Sequence, residues 1–129
     1  MNSFYLLSMT SASQTIRTTV AAWPGLNEAS HRFGGVEFKI GKREIGHLHG
    51  DTLLDVPFPK KVRDDLVAAG RADPHHILPQ SGWISFRIRS APDVDAAVAL
   101  LRQSYDLITE QVARRKVQSD AAAARRSVP

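Results

Sequence analysis

Residues 36–56, VEFKIGKREIGHLHGDTLLDV, restrict this chain to a small family of architectures. Val36, Phe38 and Ile40 alternate with Glu37 and Lys39, the period-two pattern of a strand buried on one face. Gly41-Lys42 and Gly50-Asp51 interrupt the run, and glycine supplies the positive φ that a tight hairpin demands. The return strand, residues 43–49, alternates so that Arg43, Ile45, His47 and His49 share one face and Glu44, Gly46 and Leu48 the other. Thr52 to Val56 forms a further strand, and Pro57 and Pro59 end the sheet segment because proline cannot donate to a ladder. Residues 26–33 are read as a weaker strand closed by Gly34-Gly35. An antiparallel meander follows, and its apolar face needs a cover.

Three helical stretches provide one. Ile16, Val20 and Trp23 recur at helical spacing between Ser11 and Trp23, and Pro24-Gly25 stops the pattern. Val62, Leu66 and Val67 form the apolar stripe of a short helix over 60–69, with Gly70 as its C-terminal cap. After a loop through Asp73-Pro74-His75-His76, the run from Trp83 to Ile88 is a last strand. Asp93 then caps a long helix whose face is Val94, Ala97, Val98, Leu101, Tyr105 and Ile108. Strands clustered in sequence rather than alternating with helices predict an α+β fold. The expectation is a mainly antiparallel, four- or five-stranded sheet with helices packed on one face and a long C-terminal helix. Its core centres on Val20, Trp23, Val36, Phe38, Ile45, Leu66, Ile84, Phe86, Val98, Leu101 and Tyr105.

At 129 residues the chain suits one domain, read as residues 11–113 between an irregular start over 1–10 and a basic tail over 114–129 that is a fraying helix or disordered. The net charge of +4 suggests nucleic acid. The tail, however, carries five of the seventeen basic residues and one of the thirteen acidic ones, so residues 1–113 are balanced. With no cysteine there is no disulfide, thiolate nucleophile or thiolate metal site. The short apolar run Phe4-Tyr5-Leu6-Leu7 lacks the basic flank and length of a leader, so the expected location is cytoplasmic, without a membrane partner.

Chemistry concentrates in HLHGD and HHILPQSGW. His47 and His49, two apart on a strand, point to one side about 7 Å from each other. They can hold a divalent metal if Asp51 or His76 adds a third ligand. The alternative stays open that these histidines, with His75 and His76, only satisfy strand and loop groups. Ser81 and Ser85 are the possible nucleophiles of a hydrolase, with Asp51 or Asp55 orienting a histidine, but no nucleophile-elbow motif surrounds them. Trp83 is a core anchor or a stacking platform for a ligand ring. Arg87 and Arg89 are read as sharing a strand face that suits an anion or a phosphate backbone.

The runs HRFGGVEFKIGKREIGHLHGDTLLDVPFP and LVAAGRADPHHILPQSGWISFRI resemble the luciferase-domain family of small bacterial and fungal proteins, over roughly residues 15–107. The element order is also similar to YjbR/MmcQ-like double-wing domains. If the first resemblance carries function, it implies a cofactor-independent pocket lined by His47, His49, His76 and Trp83 that works on an organic substrate, since no flavin or nucleotide fingerprint accompanies it. The leading expectation is a domain that binds a small molecule or a protein through its exposed sheet face, with cofactor and catalytic residues unassigned. Two others stand beside it: an enzyme using the histidine cluster, metal-assisted or as a general base, and a nucleic-acid-binding module.

Overall fold

The computed structural model describes residues 11–31 and 34–127. The expected irregular start over 1–10 therefore lies outside the described residues, as do Arg32 and Phe33 of the first expected strand. In chain order the elements are α1 (Ala12–Ala21), β1 (Leu26–Ser30), β2 (Val36–Ile40), β3 (Arg43–His49) and β4 (Leu53–Pro57). There follow α2 (Lys60–Ala68), β5 (Asp73–Pro74), β6 (Trp83–Arg87) and α3 (Ala91–Arg126). The six strands form one sheet in the order β1-β2-β3-β4-β6-β5, with every neighbouring pair antiparallel. The α+β architecture is as expected, and the strand count exceeds the expectation of four or five. The additional strand is the two-residue β5, whose sequence, Asp73-Pro74, gives no strand signal.

Register sorts the side chains into two faces. Val36, Leu48, Leu54 and Phe86 lie side by side across β2, β3, β4 and β6. One residue along, Glu37, His47, Asp55, Ser85 and Asp73 form the neighbouring row, pointing the other way. The first face is covered by α1 and α3: Ile16, Val20, Ala97, Leu100 and Leu101 pack with Phe38, Ile45, Leu48, Leu54, Val56 and Ile84 into one cluster. Of the expected core, Val20, Phe38, Ile45, Leu66, Ile84, Leu101 and Tyr105 are buried, while Trp23, Val36, Phe86 and Val98 are partly buried against them.

β3 departs from simple alternation. Phe38 pairs with Gly46 but Lys39 pairs with Glu44, so Ile45 is an extra residue, a β-bulge. The bulge overturns the expected facing of this strand: Ile45 is fully buried in the core, and Glu44 joins His47 and His49 on the open side. Gly46 permits it, with φ at 155°, where a Cβ would stand 2.6 Å from Leu101 Cδ2.

Two helix ends also differ from expectation. α3 begins at Ala91, and Asp93 is not the cap residue but accepts a hydrogen bond from the Arg89 backbone N–H at 2.8 Å. At its other end α3 is helical to Arg126, in the segment for which a fraying helix or disorder was expected. The Ala-rich stretch and the i,i+4 pairs Glu110–Arg114 and Lys116–Asp120 favour helix in a segment that is otherwise almost wholly exposed.

Candidate metal centre on the open sheet face

The centre of the uncovered face is a carboxylate. Asp55 interrupts the apolar strand LLDVP, and its side chain is fully buried. Isolated burial of a carboxylate would cost several kcal/mol, so its partners define the site. Oδ1 accepts a hydrogen bond from the Ser85 hydroxyl at 2.7 Å. Around Oδ2 stand four imidazole Nε2 atoms: His49 and His76 at 3.1 Å, His47 at 3.2 Å and His75 at 3.4 Å. β3 contributes His47 and His49, β4 Asp55, β6 Ser85, and the segment after β5 supplies His75 and His76.

Further bonds hold the rings. His47 Nδ1–H donates to Glu44 Oε2 at 2.6 Å, a contact that the β3 bulge creates. His31 stacks on His47 with ring centroids 4.2 Å apart. His75 Nδ1 accepts from the backbone N–H groups of Ile77 (3.2 Å) and Leu78 (3.0 Å). The His76 backbone N–H donates to Ser85 Oγ at 3.2 Å. Trp83, half-buried, approaches His47 at 5.4 Å and His75 at 5.9 Å between centroids.

Electrostatics follow from this packing. Burial alone would lower the His47 pKa, but hydrogen bonds to Asp55 and Glu44, with the charges of both carboxylates, lift it to about 9. Burial would raise Asp55, yet the bonds from His47, Ser85 and His76 hold it below the usual carboxylate range. His75 moves down, chiefly through burial and further through the neighbouring His76 and His47, with Asp55 opposing.

A cavity of about 450 Å³ opens over the cluster, lined by His31, Glu44, His47, His49, Asp55, His75, His76, Ile77, Leu78 and Trp83. Ile77 and Leu78 are 70% and 53% exposed, an apolar lip beside the polar floor. A second cavity of about 530 Å³, under α3 at the strand ends, shares Glu44 and Trp83 with it.

His47, His49 and His76 thus meet, and Trp83 borders the cavity over them instead of anchoring the core. Asp51 does not join them: its Oδ1 accepts from the Ser13 backbone N–H at 2.8 Å, at the start of α1. Ser81 is a turn residue whose hydroxyl donates to the Leu78 carbonyl at 2.7 Å. Ser85 donates to a carboxylate instead of a histidine, so neither serine has the partner that a hydrolase nucleophile needs. Arg87 ends β6 and Arg89 lies beyond it, so the two do not share a strand face. Asp55, Glu44, His75 and His31 belong to the cluster although the ligand reading passed over them. A single acidic residue in an apolar strand was the available signal for Asp55.

The family model described as Luciferase domain matches residues 42–104, which contain β3, β4, α2, β5, β6 and the first part of α3, with both histidine segments. The luciferase-domain resemblance therefore holds across the site. No curated protein and no solved structure matches the chain. No helix among the described residues is long and apolar enough to cross a membrane.

Proposed function

We propose that this luciferase-domain chain is a metal-dependent enzyme, in which the open-face cluster binds one divalent transition-metal ion beside a pocket for a small organic molecule. The observation that carries the reading is the crowding of four imidazole nitrogens within 3.4 Å of one carboxylate oxygen. One carboxylate oxygen offers about two acceptor sites. Neutral imidazoles beyond that number would turn nitrogen lone pairs toward oxygen lone pairs, an arrangement that repels. A cation among them would turn the lone pairs that face one another into metal bonds.

The spacing agrees. Donors about 2.0–2.1 Å from a tetrahedral ion stand roughly 3.3 Å from one another, close to the 3.1–3.2 Å between Asp55 and each of His47 and His49. In two triads, His47-His49-Asp55 and Asp55-His75-His76, the donor atoms lie within 4.8 Å of one another. Imidazole and carboxylate donors suit zinc, iron, nickel or copper. Glu44 behind His47 supplies the outer carboxylate that fixes tautomer and ring orientation at such centres.

The pocket has the volume of a small-molecule site, with Trp83, Ile77 and Leu78 as apolar contacts. An ion held by His47, His49 and Asp55 would supply a Lewis acid beside this pocket, able to polarise a carbonyl of the ligand seated against Trp83, Ile77 and Leu78. The retained ion would sort the chemistry: iron or copper would suit oxidation of the ligand with dioxygen as the electron acceptor, and zinc would suit polarisation of a carbonyl.

Purified chain stripped with chelator should bind close to one equivalent of Zn(II) or Co(II) in equilibrium dialysis. His49→Asn and Asp55→Asn should each weaken that binding at least 100-fold while circular dichroism keeps the native signal. Equal uptake by the substituted and unsubstituted chains would overturn the proposal.

A further inference from the structure

Resting on the metal reading above, we infer that His75 is not a ligand: the ion is held by His47, His49 and Asp55, and His75 is a positioning residue that ties the pocket lip to Asp55. Three triads are possible, His31-Glu44-His47, His47-His49-Asp55 and Asp55-His75-His76; the last two share Asp55, and the hydrogen bonds of the rings choose among them. His75 Nδ1 accepts two backbone N–H groups, from Ile77 at 3.2 Å and Leu78 at 3.0 Å. A nitrogen that accepts bears no proton, so neutral His75 carries its proton on Nε2. That N–H faces Asp55 Oδ2 at 3.4 Å, the longest of the four contacts, and a protonated nitrogen has no lone pair for a metal.

His47 is arranged in the opposite sense. Its Nδ1–H is committed to Glu44 at 2.6 Å, which leaves the Nε2 lone pair facing the centre. That 2.6 Å separation is also shorter than the roughly 3.3 Å edge between two ligands of one tetrahedral ion, so Glu44 is a hydrogen-bond acceptor and not a co-ligand. One histidine is thus set to ligate and the other to donate. Ile77 and Leu78, the exposed lip, are joined through the His75 ring to the carboxylate that holds the ion. A ligand that presses on the lip therefore acts on Asp55 through one side chain.

The test exploits what amide side chains can and cannot replace. Gln at position 75 still offers an N–H toward Asp55, and Asn still offers an acceptor to the lip amides, but neither restores an imidazole ligand. Co(II) binding followed by its visible absorption reports coordination number and donor set directly. His75→Gln and His75→Asn should keep one Co(II) per chain with the band positions and intensities of the unsubstituted protein, and lose no more than about 100-fold in affinity. His49→Gln should shift or abolish the bands. Altered bands in both His75 variants, matching the His49 variant, would overturn the inference while leaving the metal reading intact. An unsubstituted chain that takes up no Co(II) would sink the metal reading, and this inference with it.

Discussion

Asp55 illustrates how much one buried charge can organise. Without an ion, its charge is matched by the Ser85 hydroxyl and by a protonated His47. This makes the ion-free protein's stability depend on pH in a definite direction. His47 has a folded pKa of about 9, above its ordinary value of 6.5, so its contribution is complete below about pH 6.5 and is lost as pH rises through 9. A shift of that size corresponds to about 3 kcal/mol. Asp55, depressed, contributes above its ordinary value near 4 and loses that contribution as the pH falls into the acid range. His75, depressed by burial, contributes above its ordinary value of 6.5 and loses that contribution below it, so urea unfolding of metal-free protein should show greatest stability near pH 6.5 and a decline toward pH 9. In His47→Gln the alkaline decline should be largely absent. Metal uptake should run the other way, strengthening as pH rises, because the ion displaces the His47 proton. At this scale HLHGD and HHILPQSGW stood out in the sequence as the places where chemistry could sit. Their shared partner did not, because which acid lies across from His47 depends on strand register, and Asp51 was nearer in sequence than Asp55.

Among the elements, β3 decides the site. Period-two reading located the strand from Arg43 to His49 but assigned its faces wrongly, since alternation assumes no inserted residue and a bulge inserts one. The only local trace was Gly46, whose backbone no other residue adopts comfortably. Gly46→Ala should destabilise the fold by about 2–4 kcal/mol, through strain at φ 155° and the 2.6 Å approach to Leu101, and chemical denaturation would measure it. Because a relaxed bulge would turn Glu44 away from His47, the same variant should also bind metal more weakly. The end of α3 is a contrasting case. Residues 114–126 are helical yet mostly exposed, so removing residues 114–129 should shift the melting temperature by less than about 2 °C and leave metal uptake unchanged. Composition left a fraying helix or disorder open there; local pairs and alanine content favour helix, without burial or packing.

Across the whole molecule, the fold separates duties between the two faces of one sheet. Helices α1 and α3 bury the apolar row, so the opposite row is free to carry Glu37, His47, Asp55, Ser85 and Asp73. This division was legible in outline, because alternating strands clustered in sequence demand a helical cover on one side. What brings residues 47–49 and 75–76 together was not: it requires β6 to insert between β4 and β5, an order no local pattern specifies. The central claim, one ion at Asp55, is open to a single crystallographic measurement. Crystals of metal-loaded protein, measured at the absorption edge of the bound ion, should show one anomalous peak per chain about 2.0–2.3 Å from His47 Nε2, His49 Nε2 and an Asp55 oxygen. No peak at Asp55, or a peak on Glu44 and His31 instead, would contradict it.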